Sequence, residues 1–294
     1  MIIEFLGKTI SVKEFACQIG TDPIDRILPH INLFVKVTKK CNARCRFCSD
    51  AATASSCSRF NIDKLFDIIQ ELQNLKIRVN KVSITGGEPA VVKDLVYEIL
   101  ERMNIYPFTQ IHTHLNSNGL LPSSQELMRH SRWDSISMSL HHYDINKLSE
   151  IYGCRIPNNV LSFDGINLQK LNASCNLIKG YIDSLDEIKK MLDLVIDIGI
   201  PRIGFVALMK INDFCRKHFI DIENIHIETI PHVHYIRSMS RGSDCKCSNY
   251  LYNKDLRVLE VYMRNYCNPN YCESSLVYDG EFLRQGFYED NIIY

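Results

Sequence analysis

Between Ile31 and about Met209 short apolar runs alternate with amphipathic stretches, the arithmetic of repeated βα units around a parallel sheet. Six runs read as strands: Asn32 to Val37, Val82 to Thr85, Ile111 to Leu115, Ser135 to Leu140, Leu171 to Ile178 and Arg202 to Leu208. Between the first two, Ile62, Leu65, Phe66, Ile69, Leu72 and Leu75 recur at three- and four-residue steps, which gives one helix an apolar face, with Asn61 as its N-cap. Before the sixth, Leu185, Ile188, Leu192 and Val195 repeat the pattern. Ser184 and Glu187 have capping-box spacing, and Gly199 and Pro201 stop the helix. Right-handed crossovers curl six such units into an α/β fold, a partial (β/α)6 barrel with its chemistry at the C-terminal ends of the strands. Residues 1–30 read as an N-terminal extension and 31–215 as the barrel. Residues 216–294 read as a small C-terminal α+β module in which Leu276 to Leu283 forms a hairpin turning at Asp279-Gly280.

The 294 residues carry 34 Lys+Arg against 34 Asp+Glu, so no net charge points to nucleic acid, and 46% hydrophobic residues exclude a disordered chain. No apolar run reaches the roughly 18 residues of a membrane span, and the first residues lack the pattern of a signal peptide, which predicts a cytoplasmic protein. Twelve cysteines in such a chain are better read as metal or redox thiols than as disulfides.

Directly after the first strand, Cys41, Cys45 and Cys48 stand in a CxxxCxxC pattern. Three thiolates from one loop suit three irons of a cubane with the fourth iron open; a zinc knuckle completed from elsewhere is the competing reading. The second strand ends in Gly86-Gly87-Glu88-Pro89. Its glycines permit close backbone approach to a ligand, and Glu88 offers a carboxylate to an ammonium group.

These two motifs together resemble the radical S-adenosylmethionine (SAM) enzymes. The resemblance implies that Cys41, Cys45 and Cys48 hold a 4Fe-4S cluster whose open iron is chelated by SAM. It places Gly86, Gly87 and Glu88 at the methionine ammonium and Phe47 near the adenine. It also implies reductive cleavage of SAM to a 5′-deoxyadenosyl radical. Asn116, before Asn118-Gly119 at the third strand's end, Ser137 and Ser139 on the fourth strand and Asn172 on the fifth are similar to the family's polar cofactor-binding positions.

Cys245, Cys247, Cys267 and Cys272 form a second constellation, able by spacing to hold zinc or a cluster. The stretch from Cys272 through Asp279-Gly280 is similar to the SPASM/Twitch branch and to the molybdenum-cofactor pterin synthases, which implies one auxiliary 4Fe-4S cluster of the shorter Twitch form. The chain departs from those synthases. Gln285-Gly286 stands where they have a third ligand and their Gly-Gly tail is missing, so pterin synthesis is disfavoured.

Cys215, after the sixth strand, is expected on the substrate rim, where a thiol can return a hydrogen atom to a substrate radical; a small buried hydrophobe is the alternative. Cys17, Cys57, Cys154 and Cys175 lack spacing partners and read as packing residues. The histidine pairs His112 and His114, His141 and His142, and His232 and His234, with Arg237 and Arg241, are weaker substrate candidates. The expected activity is hydrogen abstraction from a peptide or natural-product substrate, ending in oxidation, cross-linking or epimerisation. A small-molecule dehydrogenase or cyclase is the alternative, and a non-catalytic metal protein a distant third. Flavodoxin or ferredoxin is the expected electron donor, with neither membrane nor nucleic acid as partner.

Overall fold

The computed structural model describes residues 2–11, 30–51, 59–238, 247–265, 275–286 and 291–294. A small hairpin, β1 (Ile2–Phe5) and β2 (Lys8–Ser11), precedes the barrel strands β3 (His30–Lys36), β4 (Arg78–Thr85), β5 (His112–Ser117), β6 (Ser135–Ser139), β7 (Leu171–Leu177) and β8 (Arg202–Ala207). Between them run α1 (Ile62–Asn74), α2 (Lys93–Met103), α3 (Pro122–Met128), α4 (Ile145–Tyr152) and α5 (Leu185–Ile198), and α6 (Asp213–Lys217) follows β8. The last strands are β9 (Val233–Ser238), β10 (Ser248–Lys254), β11 (Arg257–Arg264), β12 (Ser275–Tyr278) and β13 (Leu283–Gln285).

The strands β3 to β8 lie side by side in sequence order and all parallel, the partial TIM-like barrel expected from the six apolar runs. The sheet does not stop there. β11 adds parallel to β8 on one edge, β12 adds parallel to β3 on the other, and β10, β9 and β13 extend them antiparallel. The sheet of described residues stays open between β13 and β9.

Alternation along each strand divides its residues between two environments. Leu33 and Val35, Val82 and Ile84, Ile136 and Met138, and Ile203 and Phe205 are buried in one apolar core with Leu65, Ile69 and Leu72 of α1, Ile99 of α2 and Leu192 of α5. The alternate positions turn the other way and are mostly polar: Asn32, Lys81, Ser83, His114, Asn116, Ser137, Ser139, Asn172 and Ser174. The concave face is therefore a polar lumen.

Local signals work as read. Asn61 accepts from the Lys64 N–H at 3.0 Å, Ser184 accepts from the Glu187 N–H at 3.2 Å, and Gly199 ends α5 at φ +90. The capping box is only half made, because the Glu187 carboxylate accepts instead from Tyr143 Oη at 2.7 Å and Lys190 Nζ at 3.0 Å. The C-terminal hairpin closes through a longer loop than Asp279-Gly280 alone, since Tyr278 pairs with Leu283 and Asp279 Oδ1 accepts from the N–H groups of Glu281 and Phe282. Its Gly280 carries φ +95 and leaves no room for a Cβ, which would sit 2.4 Å from the Arg59 carbonyl oxygen.

Candidate cluster loop and barrel lumen

The loop after β3 carries Cys41, Cys45 and Cys48, all half-buried, and turns through a Cys48 N–H to Cys45 carbonyl bond of 3.1 Å. It is fixed from two sides. The Gly87 and Glu88 N–H groups donate to the carbonyls of Thr38 and Lys40 at 2.7 and 2.8 Å, and the Arg44 N–H donates to the Tyr152 carbonyl at 2.7 Å. A Cβ on Gly86 would meet the Thr38 oxygen at 2.4 Å and one on Gly87 the Lys40 oxygen at 2.0 Å. The close approach that these glycines permit is thus between strand edge and cluster loop.

Burial is the main cause that raises the thiol pKa of Cys41 and of Cys45, and the neighbouring thiolates of the loop raise them further. Among the described residues no three His, Cys, Asp or Glu side chains already stand at metal-coordinating spacing. The donor set nevertheless fits an iron-sulfur cluster. Three soft sulfurs share one short loop, their negative charges repel one another, and a polycationic centre relieves that repulsion on deprotonation. Cys41 Sγ already accepts an N–H from Ala43 at 3.4 Å, a bond of the kind that surrounds cluster thiolates.

Glu88 lies differently from the expectation. It is fully buried, with Oε1 accepting from Ser117 Oγ at 2.7 Å, Ser124 Oγ at 3.2 Å and the Ala90 N–H at 3.2 Å, and Oε2 accepting from the Asn118 N–H at 2.7 Å. Burial pushes its pKa up and these donors hold it back. The chain's own donors thus orient the carboxylate, three on Oε1 and one on Oε2.

Cys215 is also displaced from its expected rim position. It is 1% exposed, packs with Ile151, Ile178 and Leu208, and donates to the Phe47 carbonyl at 3.7 Å. The thiol supports the underside of the cluster loop. The Phe47 ring meets His141 edge-on at 4.9 Å between centroids. His141 in turn accepts the Asn176 N–H through Nδ1 at 3.1 Å, and burial lowers its pKa to about 3. Its unfolded value lies near 6.5, so the fold favours the neutral ring, and this contribution is lost as pH falls from 6.5 toward 3. Between pH 7 and pH 5 the apoprotein should lose about 2 kcal/mol through this residue. Denaturant titrations at the two pH values should show that loss in wild type and a much smaller one in His141→Gln; equal losses would exclude His141 as the source.

Asn116, Ser137 and Asn172 sit opposite one another in register, and Ser139 opposite Ser174, so the predicted cofactor positions form adjoining rows on the lumen side. Asn172 donates to Ser137 Oγ at 3.1 Å while its Oδ1 is buried without a partner among the described residues, as are Asn32 Oδ1 and Ser83 Oγ. His112 and His114 share the Ser135 hydroxyl, each at 2.7 Å. His142 stands 3.8 Å from Glu187 beside an open cleft, while His232 and His234 are exposed. Cys247 is buried just before β10 and accepts the Asn265 N–H at 3.2 Å; Cys245, Cys267, Cys272, Cys17, Cys57 and Arg241 lie outside the described residues.

Three features escaped the sequence reading. Asn118, not Asn116, reaches the cluster loop. Cys154 follows the α4 turn bonded to Arg44, close enough that its thiolate form would raise the pKa of Cys41 and Cys45. Lys81 and Arg264, remote in sequence, are linked through charge: burial lowers the Lys81 pKa to about 8, and the Arg264 charge adds to the effect. Arg264 is 6% exposed, and among the described residues neither cation has a carboxylate in ion-pair range.

Residues 35–222 match the Radical SAM superfamily, and the chain belongs to it. It is accordingly an enzyme whose cofactors are a 4Fe-4S cluster and SAM. A probable GTP 3′,8-cyclase of Archaeoglobus fulgidus is 26% identical over 204 residues, covering 66% of this chain and 65% of the cyclase. The GTP 3′,8-cyclase of Alkaliphilus oremlandii is 28% identical over 206 residues, covering 65% and 61%. The chain therefore spans less than two thirds of these relatives. The fold is similar to SAM-bound SuiB of Streptococcus suis, with a TM-score of 0.50 and 19% identity over 63% of this chain and 42% of that one. Among the described residues no helix is long and apolar enough to cross a membrane.

Proposed function

We propose that this radical SAM enzyme acts on a small anionic molecule, bearing phosphate or carboxylate groups, held in the barrel lumen. The observation that carries this reading is the pair Lys81, half-buried, and Arg264, buried, neither of which has a carboxylate in ion-pair range among the described residues. Two cations of like sign in a low-dielectric space repel each other, and a bound anion removes that cost. The oxygens of Asn32 and Ser83, without a partner among the described residues, add acceptors for hydroxyl or amino groups of the ligand. The cyclase relatives act, by name, on GTP, a molecule of this class.

In this reading Cys41, Cys45 and Cys48 hold the cluster, and the lumen rows through Asn116, Ser137, Ser139 and Asn172 orient SAM. When bound, cluster and SAM supply the 5′-deoxyadenosyl radical that removes a hydrogen atom from the substrate. The remaining work of the chain is positioning: Lys81 and Arg264 fix the anion, and the lumen wall restricts water and competing hydrogen donors. Cys247, with Cys245, Cys267 and Cys272, is proposed to hold an auxiliary 4Fe-4S cluster in a Twitch-like segment, 216–294, following the barrel segment 31–215. A flavodoxin or ferredoxin class protein in the cytoplasm would supply electrons.

Calorimetry with GTP and with inorganic tripolyphosphate tests the substrate class. Both should bind wild type and bind Lys81→Met at least about tenfold more weakly, since a desolvated charge contact exceeds 1.4 kcal/mol. Failure of both anions to bind wild type, or equal affinity in a folded Lys81→Met protein, would overturn the proposal.

A further inference from the structure

The amide of Asn118 lies between two networks. Its backbone N–H donates to Glu88 Oε2 at 2.7 Å, and its side-chain Oδ1 accepts the Leu120 N–H at 3.0 Å. With the oxygen fixed on that side, the NH2 group has one direction left. Nδ2 donates to Asn42 Oδ1 at 2.9 Å and lies 3.8 Å from Cys41 Sγ. The residue is 8% exposed, so water competes little for these bonds. Glu88 is held in turn by Ser117, Ser124 and the Ala90 N–H, which leaves the whole chain of contacts little freedom.

The strand end after β5 is thereby tied to the first sulfur of the cluster loop. Cys41 is the sulfur with two N–H neighbours in the described residues, Ala43 on its own loop and Asn118 from the segment just after β5. An N–H aimed at a thiolate stabilises negative charge on it. When that thiolate ligates a cluster, the reduced and more negative form gains most, so the potential rises.

We propose that Asn118 is a positioning residue for the cluster, its amide N–H directed at Cys41 and its orientation set by Glu88 and Leu120, so that it raises the reduction potential and slows loss of iron. The proposal rests on the reading of Cys41 as a cluster ligand. It gives the buried Glu88 a role that direct contact with a cofactor does not: holding the backbone from which that donor projects.

The experiment uses the full chain, reconstituted anaerobically, as wild type, Asn118→Leu and Asn118→Asp. Leucine removes both amide functions, whereas aspartate keeps the acceptor for Leu120 and removes the donor. Potentials are read by EPR-monitored titration without SAM, and iron release to a chelator is followed in parallel. Both variants should load iron, titrate at a lower potential than wild type and release iron several-fold faster. If both load iron and titrate at the wild-type potential, Asn118 has no such role even though Cys41 remains a ligand. If wild type binds no cluster, the ligand assignment itself fails and the inference with it. A purely structural defect would lower the melting temperature of the apoprotein and leave the potential of the loaded fraction unchanged, which also counts against the proposal.

Discussion

Gly87→Ala is expected to lower the melting temperature of the apoprotein by roughly 6 °C and to remove most of its capacity to take up iron at the cluster loop. The added methyl carbon would lie 2.0 Å from the Lys40 carbonyl oxygen, and the obstacle is backbone, not the movable end of a side chain. Relief requires the strand edge and the loop to part. That separation strains or breaks the bonds from Gly87 to Thr38 and from Glu88 to Lys40, at 2.7 and 2.8 Å. Overpacking and two weakened buried hydrogen bonds together cost on the order of 3 kcal/mol. Lys40 immediately precedes Cys41, so the same displacement moves the first sulfur away from its loop partners. Thermal melts and iron analysis after anaerobic reconstitution check this. Wild-type melting together with wild-type iron content would show that the strand edge does not set the loop.

The sequence made the barrel legible because its signals are local. Each strand from β3 to β8 announces itself by a short apolar run, and α1 and α5 by periodic apolar faces between recognisable caps at Asn61, Ser184 and Gly199. The cluster loop was legible for the same reason, since CxxxCxxC lies within eight residues, Cys41 to Cys48. What escaped depends on contacts between distant segments. Nothing in the run Arg257 to Arg264 says that it pairs with β8, or in Ser275 to Tyr278 that it pairs with β3, because alternation gives a strand its faces and not its neighbour.

The site residues divide along the same line. Alternation put Asn116, Ser137 and Asn172 on one face, and register lined them up. It could not tell whether Glu88 turns toward a ligand or into the protein, a choice decided by Ser117, Asn118 and Ser124 from a different βα unit. Lys81 and Arg264 were invisible as a pair until β11 closed onto the barrel edge. The reading of Cys215 as a rim thiol placed it correctly after β8 but not in depth, which is set by packing against Phe47 of the cluster loop.

The largest effect belongs to the three cysteines. Replacing any of Cys41, Cys45 or Cys48 with Ala removes one thiolate from a three-thiolate site, and cluster loading at this loop and SAM cleavage should both fall below detection, with any iron on the C-terminal cysteines retained. Cys45→Ala serves as the control, since burial is the main cause that raises the pKa of this thiol. The decisive measurement is the EPR spectrum of the dithionite-reduced wild-type protein before and after SAM, with 5′-deoxyadenosine assayed in the same samples. Three protein sulfurs with one coordination position left for SAM predict a spectrum that changes on SAM addition and 5′-deoxyadenosine in wild type, with neither in Cys45→Ala. A loaded wild-type cluster whose spectrum ignores SAM, with SAM recovered intact, would contradict the account.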